Sequence, residues 1–337
     1  MKLKISIVVV TIAVTTFMLP SLPVTADSHP PITRHYGMCD ASAAVPVESN
    51  LFVVANDEDN TLRIYERNKS GEPIYSQDLS AFLQIDSKHP EADIEGATLI
   101  KNRIYWITSH GANKDGKERP NRHRFFATEI ENIGGKFNLK PMGKPFFGLV
   151  KALEVSAELK GYNLGNAAKN APESENELNI EGLTKTPLGN LLIGFRNPIP
   201  EGRALLVPLN NPQEVVLGNE EPKLGAPILL ALNGLGIRSI EYSDAKGVYF
   251  IVAGPYDDKG SFQFYQWSGK ISEAPILINK IDFRGLHPEA LVIYTQKKTK
   301  IQILSDDGSK SINGQNCKDL AKTQDKSFRS IWINIEP

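Results

Sequence analysis

Short runs of apolar and β-branched residues alternate with clusters of Gly, Asn, Asp and Pro along almost the whole chain. Five of the runs are strongly apolar: Leu51–Ala55, Ile104–Thr108, Leu191–Phe195, Val248–Ala253 and Ile301–Ser305. A strand that is apolar at successive positions has no face for water, so both of its sides must be covered. Each run is followed by another strand-like segment: Leu62–Tyr65, Phe125–Ile130, Ala204–Leu209, Phe262–Trp267 and Ser330–Ile335. Each is preceded by a short strand that opens on a recurring polar unit. The unit reads Asp93-Ile94-Glu95-Gly96, Asn179-Ile180-Glu181-Gly182, Ser239-Ile240-Glu241-Tyr242 and His287-Pro288-Glu289-Ala290, with Asp40-Ala41-Ser42-Ala43 in the same frame. Five copies of a three- to four-stranded unit, each burying its middle strand against its neighbours, predict an all-β fold, a five-bladed β-propeller.

Two departures from the repeat refine this picture. The long step from Glu95 to Glu181 contains a helix-like pattern within Gly148–Gly161 (Leu149, Ala152, Leu153, Val155) and then a polar stretch, 163–177. It reads as an insertion between blades; if it conceals a blade, the ring has six. The last copy lacks an outer strand, and Pro31–Tyr36 can supply it, closing the ring with both chain ends in one blade.

The first residues belong to a different class. Lys2 and Lys4 precede the apolar run Ile5–Leu19, and Val24-Thr25-Ala26 forms a small-residue cleavage site. This is the pattern of a secretory signal peptide, residues 1–26, followed by one propeller domain over 27–337. The expected destination is the periplasm or the exterior. No later run approaches the roughly 18 to 20 residues of a membrane span. With 38 basic and 39 acidic residues the chain also lacks the excess of positive charge that a nucleic-acid binder uses. Cys39 and Cys317 are the sole cysteines. In an exported chain they form a disulfide tying the two ends together, or else two buried thiols.

Several stretches resemble a known family. Asp93-Ile94-Glu95-Gly96, Tyr105-Trp106-Ile107-Thr108-Ser109-His110, Arg119-Pro120-Asn121-Arg122, Gly202-Arg203-Ala204-Leu205-Leu206, Gly236-Ile237-Arg238 and Ala253-Gly254-Pro255 are similar to motifs of domain of unknown function 3616, in the same order. The resemblance runs from about Gly37 to Glu336. It implies an uncharacterised bacterial propeller, distantly similar to phytase-like esterase propellers, and through them a phosphoester or ester hydrolase.

The chemistry concentrates at the starts of the inner strands, which converge on the channel mouth of a propeller. Glu95, Glu181, Glu241 and Glu289 form one column of the repeat. Asp40 and Asp93, with Asn179, Ser239 and His287, form a second column two residues earlier, on the same face by the period of a strand. Gathered carboxylates repel one another and hold their protons unless a cation or an arginine compensates. An all-oxygen set suits Ca²⁺ or Mg²⁺. The alternatives are a repeated hydrogen-bonded fastening between blades and an acid/base ring. A basic loop, His110 to Arg124, overhangs this face and includes Arg122; Arg196 and Arg238 flank the glutamates. These arginines, with His110 and His287, are candidates to hold a small anion, because a guanidinium fork matches phosphate or carboxylate oxygens. They are equally candidates for salt bridges to the glutamates, and the loop for a solvated surface. Three functions follow: a binding propeller for a small anion with a divalent cation, a metal-dependent hydrolase with Glu95 or Glu181 as base, or a protein-interaction platform. The segment Gly111–Lys117 lacks the Ser or Thr and the helix of a phosphate loop, and Asp57-Glu58-Asp59-Asn60 reads as a turn.

Overall fold

The computed structural model describes residues 31–335 apart from Asp258 and Lys280. The leader expected over residues 1–26 lies outside the described residues. Among those described, no helix is long and apolar enough to cross a membrane.

Five four-stranded antiparallel sheets form a five-bladed β-propeller. Blade 1 comprises Ala41–Glu48, Leu51–Asn56, Thr61–Glu66 and Tyr75–Asp78. Blade 2 comprises Ile94–Ile100, Arg103–Thr108, Phe125–Ile133 and Lys136–Phe146. Blade 3 comprises Asn179–Lys185, Leu191–Asn197, Ala204–Leu209 and Ile228–Leu230. Blade 4 comprises Gly236–Ser243, Val248–Gly254, Gln263–Trp267 and Ile276–Leu277. Blade 5 takes Pro288–Val292, Lys300–Ser305 and Ser327–Asn334 from the end of the chain and its outermost strand, Thr33–Tyr36, from the beginning.

The doubly apolar second strands are what hold the ring together. In blade 1, Leu51, Val53 and Ala55 pack toward blade 2, whereas Phe52 and Val54 pack toward blade 5. In blade 2, Ile104 and Trp106 face blade 1, and Tyr105 and Ile107 face blade 3. The same alternation sends Tyr249 and Ile251 toward blade 3 and Phe250 and Val252 toward blade 5. Five inter-blade cores result, and a polar replacement on either face of a second strand opens one of them.

The insertion forms helix α1 (Leu149–Val155), a 3₁₀ segment and helix α2 (Leu164–Ala167). Leu149, Leu153, Leu159 and Leu164 are buried in the core shared by blades 2 and 3, so the insertion caps that junction and adds no blade. A further helix, α3 (Pro212–Leu217), starts on a proline and stops at Gly218 in the left-handed conformation. Two clamps close the ring. Thr33–Tyr36 pairs antiparallel with Ser327–Ser330, and Cys39 is disulfide-bonded to Cys317.

Candidate functional site

The inner strand of every blade carries a β-bulge near its start. The residue skipped by the ladder is Ser42, Glu95, Glu181, Arg238 and Glu289 in blades 1 to 5. A bulge leaves its extra residue unpaired and re-aims it, so these five side chains form one ring at the channel mouth. In blade 4 the ring position belongs to Arg238. Glu241, which the repeat pattern places in the column, lies three residues further down its strand. Burial pushes its carboxyl up to about 8, against the pull of Lys185 and the Thr98 hydroxyl. The shift of frame has a steric cause. The position before the ring holds Ala41, Ile94, Ile180, Ile237 and Pro288, and the one before that holds Asp40, Asp93, Asn179, Gly236 and His287. At Gly236 any Cβ would come within 1.8 Å of the Arg196 carbonyl oxygen, so blade 4 cannot carry the polar side chain that marks the other four.

A second column stands at the ends of the second strands, one residue beyond the partner of the pre-bulge position: Asp57, Ser109, Arg196, Gly254 and Asp306. Asp57 and Asp306 escape the reading of the repeat units. The turn 57–60 exists, but its first residue points to the mouth. Extending the repeat comparison to the ends of the second strands would have revealed both.

On one side of the mouth, acids and arginines neutralise one another. Arg196 Nη1 lies 3.0 Å from Glu181 Oε1 and donates to it. Arg238 Nε lies 3.0 Å from Glu181 Oε2, and Arg238 Nη2 donates to Glu289 Oε1. All four side chains are buried. Arg238 thereby ties blades 3, 4 and 5 through two glutamates.

On the other side the carboxylates accumulate. Asp40, Asp57 and Asp306 offer oxygens all within 4.8 Å of one another, and so do Asp57, Asp93 and Glu95. Asp57 belongs to both groups, and among the described residues its buried Oδ1 has no hydrogen-bond partner. Asp93 accepts from the Ser109 hydroxyl and lies 3.3 Å from Arg122 Nη1. Among the described residues, Asp40, Asp57, Glu95 and Asp306 make no ion pair. Asp306 Oδ1 accepts from the Gly308 amide at 2.7 Å, and Asp40 packs so closely on Gly308 that a Cβ there would collide with its carboxylate. Burial, followed by Asp306 and Glu58, pushes Asp40 up to about 8. Burial and the neighbouring acids raise Asp57 and Glu95 well above the carboxylate range. Asp93 and Asp306 are raised as well, chiefly by burial.

The remaining candidates have different settings. His110 is fully buried, its Nδ1 2.8 Å from the Thr108 carbonyl oxygen, its ring stacked on His123, and burial lowers its pKa to about 3. Among the described residues its Nε2, also buried, has no hydrogen-bond partner. His287 is exposed beside Phe262. Arg122 is held by Glu91 and Asp93. Arg124 is buried, donating to the Leu83 carbonyl at 2.7 Å under the ring of Phe147.

Below the ring the channel narrows to a space of about 10 Å³ among Ser42, Glu95, Glu181 and Glu241, room for about one water molecule. Two clefts adjoin the acidic side: one of about 310 Å³, lined by Asp40, Glu58, Arg63, Lys318 and Lys326, and one of about 550 Å³ beside Glu91, Arg119 and Arg122.

A family model described as a protein of unknown function (DUF3616) matches residues 40–135 and 146–302. No functionally curated protein matches the chain in sequence. Among solved structures, the glutaminyl cyclase of Myxococcus xanthus is 11% identical with a TM-score of 0.44, covering 91% of this chain and 97% of its own. The PQQ-bound aldose sugar dehydrogenase of Streptomyces coelicolor is 9% identical with a TM-score of 0.44, covering 90% and 100%. The GH43 endo-arabinanase of Bacillus licheniformis is 10% identical with a TM-score of 0.40, covering 90% and 95%. Likeness at this level transfers none of these activities.

Proposed function

Because the chain belongs to the DUF3616 family of proteins of unknown function, whose name assigns no reaction, we propose a function from the mouth itself: it binds a hard divalent cation, and with it a small anionic ligand. The observation that carries this reading is Asp57, a carboxylate shared by two acidic triads with a buried oxygen that no protein donor satisfies. Burying an unpaired carboxylate is costly, and more so beside Asp40, Glu95 and Asp306, which among the described residues make no ion pair either, unless protons or a cation neutralise them. The donors are all oxygen and come from loops and strand starts of three blades. That favours Ca²⁺, which accepts six to eight oxygens in a flexible geometry, over the stricter octahedron of Mg²⁺. Bound at the mouth, the cation would keep coordination positions on the open face, where an anion completes the shell. A disulfide is consistent with an oxidising compartment, and we place the protein's action outside the cytoplasm, in the periplasm or beyond.

The test is calorimetric titration of CaCl₂ and MgCl₂ into the chelator-stripped protein, with Asp57→Asn and Glu181→Gln in parallel. Calcium binding should vanish in Asp57→Asn and persist in Glu181→Gln, whose carboxylate already serves Arg196 and Arg238. Absence of binding in the wild type, or equal loss in both variants, overturns the reading.

A further inference from the structure

We propose that the larger of the two clefts, between residues 89–91, the loop 113–122 and Pro172, is a phosphoryl-binding subsite, with Arg119, Lys114 and the Asn113 amide as its donors. The inference supplies the anion side of the function proposed above and rests on it for the cation alone.

Most cations around the mouth are already committed. In the smaller cleft every one is engaged: Arg63 pairs with Asp59 at 2.8 Å, Lys318 with Glu58 at 2.7 Å, and Lys326 Nζ donates to the Lys318 carbonyl at 2.6 Å. At the ring, Arg196 and Arg238 serve Glu181 and Glu289. In the larger cleft Arg122 is held by Glu91 and Asp93. Among the described residues, however, the side chains of Arg119 and Lys114 make no hydrogen bond or ion pair, and Arg119 is half-buried at the cleft wall.

The cleft is also braced before any ligand arrives. Asn113 Oδ1 accepts from the amides of Asp115 at 3.0 Å and Lys117 at 2.7 Å. That fixes the plane of the side-chain amide, and among the described residues its two N–H donors have no acceptor. Arg119 precedes a 3₁₀ turn, Pro120–Arg122, whose Asn121 donates to the carbonyls of Asp86 at 3.0 Å and of His89. The two walls are therefore tied to each other. A guanidinium, an ammonium and an oriented amide around one opening match the several oxygens of a phosphoryl group, and Arg supplies the paired contact that a tetrahedral oxyanion accepts. Arg122 lines this cleft and touches Asp93, so an anion seated there lies one side chain from the acidic triads. A phosphorylated small molecule could place its phosphoryl group in the cleft and another oxygen at the cation.

The test is titration of inorganic phosphate, with acetate as a second arm, into the chelator-stripped full chain and three variants. Phosphate should bind more tightly than acetate. Its affinity should fall at least tenfold in Arg119→Ala, recover in part in Arg119→Lys, and stay unchanged in Arg63→Ala. Equal binding of acetate would overturn the phosphoryl assignment. Absence of phosphate binding in the wild type, or an equal loss in Arg63→Ala, would overturn the subsite. Phosphate binding that depends on Arg119 in a protein that takes up no calcium would sustain the subsite and sink the cation reading, so the two fail separately.

Discussion

Blades 3 to 5 and the arc running from blade 5 through blades 1 and 2 use the same two repeat columns for opposite purposes. In the first arc, Glu181 and Glu289 meet Arg196 and Arg238, one arginine from each column, and the charges close on themselves. In the second, the columns hold Asp306, Asp57 and Glu95, joined by Asp40 and Asp93, and among the described residues a single ion pair, from Arg122, reaches the group. The bulge fixes where a side chain points and leaves its charge open. A neutralised arc is a fastening, because it spends its carboxylates on neighbouring blades. The acidic arc commits fewer of its carboxylates to neighbouring blades, which leaves them for the cation proposed above.

The contrast can be broken by stability measurements. The largest effect is expected from Arg238→Met, which strips Glu181 and Glu289 of a shared buried partner and should cost about 3–5 kcal/mol in urea denaturation. Asp57→Asn should act in the opposite direction in chelator, raising stability by relieving like-charge repulsion, and should lose the stabilisation that calcium gives the wild type. If both substitutions shift the midpoint the same way, the two arcs do not differ as described.

The next effect is on pH dependence. Asp40 titrates in the folded chain at about 8, against an ordinary 3.8, and so binds more protons folded than unfolded in that window. Its stabilisation is complete below the unfolded value and is lost as pH rises toward 8. Glu241, also near 8, and Glu177, raised to about 7 by burial, act with the same sign away from the triads. In chelator the melting temperature should therefore fall from about pH 6.5 to 8, above the window in which the depressed His35 and His110 act with the opposite sign. Saturating CaCl₂ should flatten the part due to the triads, and calcium uptake near pH 7 should release protons. A slope unaffected by calcium would confine the effect to Glu241 and Glu177.

The smallest effect concerns the ring closure. His35 is buried among Phe52, Tyr65 and Phe328, and burial holds its pKa near 3. A depressed folded value gives stability that is present above about 6.5 and lost as pH falls toward 3. His35→Phe should change neutral-pH stability by no more than about 1 kcal/mol, the size of its lost bond to Ser330, while reducing this acid sensitivity. An unchanged acid profile would place the acid-sensitive group elsewhere.

Much of the fold was legible because its signals are local. Strands apolar on both faces demand neighbours on both sides, and Leu149 and Leu153 announce a helix within one turn. The missing outer strand and its replacement by residues 31–36 followed from counting. The site was harder to read. Ser239-Ile240-Glu241-Tyr242 imitates the repeat unit, and the correct frame, Gly236-Ile237-Arg238-Ser239, is set by ladder pairing and by the Arg196 carbonyl beside Gly236. Asp57 and Asp306 sit near opposite ends of the sequence and meet because the ring closes, a contact that no local pattern encodes.

The composite fifth blade has a consequence for the order in which the protein is made. Blades 1 to 4 are each continuous in sequence, so each can assemble as its last strand emerges. Thr33–Tyr36 is synthesised before any of them, and its partner, Ser327–Asn334, is the last strand of all. The first-made strand must wait, unpaired, for nearly the entire chain, and contacts of such long sequence separation form slowly. Asp40, next to Cys39, and Asp306, joined to it by an antiparallel bridge, come together at that final event. The triad of Asp40, Asp57 and Asp306 is thus completed only when the ring closes, whereas that of Asp57, Asp93 and Glu95 needs blades 1 and 2 alone.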